Sequence, residues 1–119
     1  MTILNLTQHQ ATSEQMTAGV VDHSDQQALK ELLNFTALPS CDEIRERAEA
    51  LAELARASSA DAAMIGGAPY LMGPLEAALK QVGIRPLYAF SVRESVETVL
   101  QDGTVRKTNV FRHLGFVEA

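Results

Sequence analysis

Apolar and polar positions along this chain change their period several times, and each change marks a boundary. Thr2-Ile3-Leu4-Asn5-Leu6-Thr7 is a short apolar run that predicts a first strand. Thr12 and Gln15 stand at capping-box spacing, so a short helix is expected there, closed by Gly19. Val20-Val21-Asp22 offers a short second strand. Ser24 and Gln27 repeat the cap spacing, and Ala28, Leu29, Leu32 and Leu33 then recur with helical period until Pro39. Ser40 with Glu43 opens the longest helix, from Cys41 to Ala57. Ile44, Ala48, Leu51 and Ala55 form its buried stripe, and Glu43, Glu46, Arg47 and Glu53 its wet side.

Ala62-Ala63-Met64-Ile65 reads as a central strand that meets a Gly66-Gly67 turn. Pro69 suits the first turn of the next helix, whose core face is Leu71, Leu75, Ala78, Leu79 and Val82 and whose stop is Gly83. Pro74 inside that span predicts a kink, or a true start near Gly73. Pro86-Leu87-Tyr88-Ala89-Phe90 is apolar on both faces, as a strand covered on both sides would be. Val96, Thr98 and Leu100 then alternate, Asp102-Gly103 supplies a two-residue turn, and the chain runs back from Val105 to Phe111. This hairpin extension covers about 95–111 and sets Glu97 diagonal to Arg106. The order of elements predicts one α/β domain over 1–119. Its sheet would be Rossmann-like and mostly parallel, with helices on both faces and a C-terminal antiparallel β-hairpin.

Composition narrows the class. At 119 residues, with 46% hydrophobic and 21% charged side chains, the chain supports one core. A net charge of −5 argues against a grip on long nucleic acid, where phosphate neutralisation needs a basic excess. The basic residues Arg93, Arg106, Lys107 and Arg112 nevertheless cluster near the C-terminus. The single cysteine, Cys41, has no internal disulfide partner and reads as a small residue beside a helix start. No secretory start and no apolar run near ~18 residues is present, so a cytoplasmic protein without a membrane partner is expected.

In open parallel sheets a ligand sits beyond the carboxyl ends of the strands. Three such ends carry polar chemistry: Thr7, Gln8 and His9; Gly66 and Gly67 followed by Tyr70; and Ser91 with Arg93. A Gly-Gly turn before a helix lets an anion approach backbone N–H groups, or simply packs strand against helix. Arg93 offers a bidentate clamp for phosphate, with Ser91 beside it, or else pairs with Glu94 or Glu97. His9 is a candidate general acid or base near a phosphodiester, or a loop histidine bonded to backbone. His113 reads as structural, and His23 lacks companions for a metal site. The spacing of dinucleotide binders, the phosphate-loop lysine and the nucleophile elbow are all missing, which disfavours classical NAD, ATP and serine-nucleophile enzymes. No cofactor and no metal is expected.

Asn5-Leu6-Thr7-Gln8-His9-Gln10-Ala11-Thr12 resembles the opening of a small family of uncharacterised proteins from bacteria and their phages. Ile65-Gly66-Gly67-Ala68-Pro69, Phe90-Ser91-Val92-Arg93-Glu94-Ser95 and Phe111-Arg112-His113-Leu114-Gly115-Phe116 resemble its further blocks. In its order of elements the chain is also similar to small CARF and ring-nuclease proteins of CRISPR systems. That likeness implies a homodimer holding a cyclic oligoadenylate, with metal-independent cleavage through the ligand's own 2′-hydroxyl. The Gly66 and Gly67 amides, Ser91 and Arg93 would then hold phosphate, and His9 would serve as acid or base. Two other readings stand beside it: a non-catalytic sensor or sponge for a small nucleotide, and a phage or prophage accessory protein that works through a protein partner, with the hairpin as its contact.

Overall fold

The structure, a computed structural model, describes residues 1–119. Nine elements follow in order: β1 (Ile3–Leu6), α1 (Ser13–Thr17), β2 (Val20–Asp22), α2 (Gln26–Leu33), α3 (Cys41–Ala57), β3 (Ala62–Ile65), α4 (Pro69–Gln81), β4 (Arg85–Val99) and β5 (Val105–Glu118). They build one five-stranded sheet in the order β2-β1-β3-β4-β5. The first four strands are parallel neighbours, and β5 returns antiparallel to β4. The fold is thus mixed α/β, with a mostly parallel sheet and a C-terminal hairpin.

Local chemistry explains most boundaries. Thr12 accepts from the Gln15 amide while the Gln15 side chain accepts from the Thr12 amide, which completes the capping box of α1. Ser40 accepts from the Glu43 amide at the start of α3. The start of α2 differs from expectation: Asp25, one residue beyond Ser24, accepts from the Ala28 amide. A carboxylate is the stronger partner for an unpaired helix amide, and it also faces the positive end of the helix. Helix α4 starts at Pro69 and runs through Pro74. It ends on Gly83 (φ +76°), whose amide reaches Lys80 O while Ile84 N reaches Leu79 O, the paired bonds of a Schellman stop. Helix α3 ends the same way on Ser59, a non-glycine at φ +54°.

Alternate residues of each strand face opposite sides of the sheet. Leu4, Leu6, Ala63 and Ile65 join residues of α2, α3 and α4 in a cluster of 16 buried side chains. Ile3, Ala62, Met64 and Leu87 point the other way and form, with Val20, a cluster of five backed by Ala11 and Phe116. The three long helices therefore pack on one face, and α1 buries none of its residues. Arg47 ties two of those helices. Its Nη1 donates to Glu31 O at 2.7 Å and Asn34 O at 2.6 Å at the end of α2, its Nη2 meets Glu43 at 3.1 Å, and its guanidinium lies 4.6 Å from the Phe35 ring centre.

The hairpin is longer than its sequence pattern implied. β4 keeps pairing with β3 only from Arg85 to Leu87, then continues to Val99 against β5 alone. Leu114 is an extra residue on β5, where the register shifts between Phe90 and Ser91. The turn is one residue longer than expected. Leu100 N bonds Thr104 O, Gly103 N bonds Leu100 O, and Gly103 sits at φ +84°, giving a three-residue loop. That extra residue moves the register, so Glu97 lies opposite Lys107 (3.8 Å) and Arg106 opposite Thr98. The arm stretches the molecule to 58 × 35 × 25 Å with a radius of gyration of 17.0 Å. A compact chain of this length would have about 13.5 Å. No helix is long and apolar enough to cross a membrane.

Candidate functional site

A half-open cleft of about 540 Å³ lies over the carboxyl ends of β1 and β3. The strand order reverses between these two strands, because β2 was added on one side of β1 and β3 on the other, and such a switch point leaves a crevice at the carboxyl edge. Its walls are Thr7, Gln8, His9, Gln10 and Gln15 on one side and Met64 to Gly67 on the other, with Tyr88 and Ala89 of β4 closing one end.

Asn5 shapes the first wall. It is 2% exposed, the one polar residue in the core, and every polar position of its side chain is used. Its Oδ1 accepts from Thr7 N (2.9 Å) and Thr7 Oγ1 (2.7 Å), and its Nδ2 donates to His9 O (2.7 Å) and Asp22 Oδ1 (2.8 Å). Asp22 also accepts from Ala11 N at 3.1 Å. These bonds bend the chain after Leu6 and hold the Thr7-Gln8-His9 loop over the sheet edge. Gln8 is tied in turn to Asn34 at 2.8 Å. Sequence reasoning passed over Asn5 and Asp22 as site residues; a lone amide inside an apolar strand was the available signal, since such a group is buried only when bonded.

The opposite wall is backbone. Gly67 adopts φ +150°, a conformation side chains resist, and a Cβ at Gly66 would only touch Thr7 at 3.5 Å. The amides of Gly67 and Ala68 have no acceptor within the chain, and Pro69 at the first position of α4 has no amide to offer. Tyr88 donates to Glu76 of α4 at 2.6 Å. Burial, then that hydrogen bond and the Glu76 charge, push its phenol up to about 12. None of the lining residues is Asp, Glu, Lys or Arg.

Of the residues singled out from sequence, Thr7, Gln8, His9, Gly66 and Gly67 share this cleft. Tyr70 does not line it; half-exposed on α4, it meets Phe35 edge-on with ring centres 5.4 Å apart. Ser91 and Arg93 do not line it either. They were expected on a loop after Phe90, but β4 continues through them, opposite His113 and Phe111. Arg93 rests 5.4 Å from the Phe111 ring centre, while Glu94 and Glu97 pair with Arg112 and Lys107. Two of the three expected segments therefore meet, and the third became the root of the arm. No group of three or more His, Cys, Asp or Glu residues is placed to hold a metal.

A family profile described as "Uncharacterized protein MJ1673 family" matches residues 1–117, nearly the whole chain. The chain belongs to this family. The MJ1673-family match covers both walls of the cleft and almost all of the arm, so both features fall within the family's extent. No curated protein and no solved structure is detectably similar. The uncharacterised character of the family, expected from the opening block around Asn5 to Thr12, is thereby established.

Proposed function

We propose that this MJ1673-family protein binds a small nucleotide in the carboxyl-edge cleft. The observation that carries the reading is the pairing of the free amide of Gly67 with a facing loop of Thr7, Gln8 and His9, across a cavity of about 540 Å³. That volume suits a mononucleotide or part of a larger cyclic one. Backbone amides at a helix start donate to phosphate oxygens without a lysine or arginine. Side-chain amides of Gln8 and Gln10 have both donors and acceptors, which match a base edge or a ribose hydroxyl. The cleft's place at the switch point of a mostly parallel sheet supports the same ligand class.

The chemistry of the walls favours binding over turnover. Tyr88 is locked as a donor to Glu76, which leaves the His9 imidazole as the one other acid–base side chain in the lining. Cleavage of a cyclic oligoadenylate by its own 2′-hydroxyl is the second reading, with His9 as acid or base and the Gly67 amide beside the phosphate. A sensor or sponge needs only the binding step.

Thermal melting with mononucleotides, linear oligoadenylates and cyclic oligoadenylates tests the proposal. A ligand at about 100 times its Kd stabilises the fold by about 2.7 kcal/mol. At least one nucleotide should raise the melting temperature, and Gln8→Ala should reduce that rise. Unmoved melting across the whole panel rules the reading out. Chromatography of a bound ligand after incubation separates the two forms: intact ligand means sequestration, and a product whose formation slows in His9→Ala means cleavage.

A further inference from the structure

The projecting arm ends in an unpaired edge. Strand β5 closes the sheet order, and from Val105 to His113 nothing pairs with its outer side. Twelve residues of β4, Tyr88 to Val99, have β5 as their only partner. An isolated two-stranded hairpin is marginal in water, and a long bare edge is a template for another strand. Three apolar residues on one face of the arm are strongly exposed, Val99 at 72%, Phe111 at 69% and Val105 at 56%, with the Glu97–Lys107 pair between them.

The geometry points to a second copy of this chain as the occupant, pairing β5 with β5 antiparallel about a two-fold axis at Thr108. Counted from the Leu100–Thr104 bond, the antiparallel alternation turns the backbone N–H and C=O of residues 105, 107, 109 and 111 outward. A strand that meets itself pairs residues symmetrically about its centre. At Thr108 this sets Lys107 opposite Asn109 of the other copy, Arg106 opposite Val110, and Val105 opposite Phe111. No like charges face each other. Centring one residue later, on Asn109, would set Arg106 against Arg112 and is disfavoured. In the Thr108 register the exposed apolar residues Val99, Val105 and Phe111 of the second copy line up across three strands, and Arg93 of that copy covers the Phe111 ring at the end of the row.

Charge supports the same partner. Residues 91–114 carry Arg93, Arg106, Lys107 and Arg112 against Glu94, Glu97 and Asp102, a balance of +1. With ten basic and fifteen acidic residues in all, the rest of the chain holds six against twelve, a balance of −6. In the Thr108 register each tip, whose one charge between Val99 and Val105 is Asp102, lies toward the root of the other arm, where Arg112 faces Thr104.

Sedimentation equilibrium of the full chain over a concentration series, together with two variants, tests this interface. The wild type should approach twice the 12.9 kDa chain mass at the higher concentrations. Asn109→Pro removes an outward amide and no backbone bond of the hairpin, only the exposed Ser95–Asn109 side-chain contact, so it should give a monomer that melts close to the wild type at its lowest concentrations. Thr108→Cys, made with Cys41→Ser and treated with oxidised glutathione, should give a covalent dimer, because facing Cα atoms in a non-hydrogen-bonded pair are about 4.5 Å apart. A chain that stays monomeric throughout, its edge left for a different protein, overturns the proposal. So does a dimer in which Thr108→Cys forms no cross-link.

Discussion

The body of the molecule and its arm are held by different forces. In the body, sixteen buried side chains on one face of the sheet and five on the other are taken out of water. In the arm, from Ser91 to His113, no residue is fully buried, and order comes from the β4–β5 ladder and from cross-strand pairs such as Glu97–Lys107 and Arg93–Phe111. Burial is cooperative and resists opening, whereas exposed ion pairs contribute about 0–1 kcal/mol each. The difference teaches where rigidity is available for chemistry. The cleft sits where the body ends and borrows its fixed strands, while the arm begins at the cleft's rim and is free to meet another surface.

Four substitutions and one titration sharpen or break that contrast. Leu51→Ala, at 0% exposure between α3 and its neighbours, should cost about 2–5 kcal/mol by denaturant unfolding. A loss below 1 kcal/mol would mean the body is not closed by burial. Asn5→Ala should cost about 1–3 kcal/mol, since it leaves the Thr7 amide without its acceptor and takes one of two donors from His9 O and from the Asp22 carboxylate. It should also blunt any ligand-induced rise in melting temperature, because the first wall of the cleft loses its anchor. Gly67→Ala should cost about 1–2 kcal/mol from backbone strain at φ +150°. Val99→Ala in the arm should change monomer stability by less than about 0.5 kcal/mol, as expected for a surface position; a larger loss would place the arm inside the cooperative body.

The titration concerns Tyr88. Its phenol is raised from the usual 10 to about 12, by burial first and then by Glu76. A raised value means the native state binds the proton more tightly than the unfolded chain. The stability it contributes is therefore complete below pH 10 and is lost as pH climbs from 10 through 12. In a Tyr70→Phe variant, which leaves Tyr88 as the one phenol, ultraviolet absorbance should show ionisation near 12; ionisation near 10 would mean that the cleft wall is open to solvent.

Much of the fold was legible because its signals are local. Thr12 with Gln15, Ser40 before Cys41 and Gly83 after Val82 each satisfy helix-end groups within a few residues, so the sequence carries them directly. The alternation of Leu4 and Leu6 with Ile3 and Asn5, all buried, likewise belongs to a strand covered on both sides. What escaped depended on distant partners. The alternation from Val96 to Leu100 betrayed the outer part of β4, but Ser91 to Glu94, expected as a loop, are held in the strand only by pairing with β5. The turn register hinged on a left-handed Gly103, which turned Asp102-Gly103 from a two-residue loop into part of a three-residue one. In the site, Thr7 to His9 and the Gly66-Gly67 turn were readable as strand ends. Asn5 was not, since its value lies in bonds to Asp22, seventeen residues away on another strand.

Hydrogen–deuterium exchange followed residue by residue across protein concentration tests the central contrast most directly. The account predicts that amides of β1, β3 and α3 exchange slowly at every concentration, while the outward amides of residues 105, 107, 109 and 111 gain protection only as concentration rises. Protection of those four amides that matches the body at the lowest concentration would contradict it.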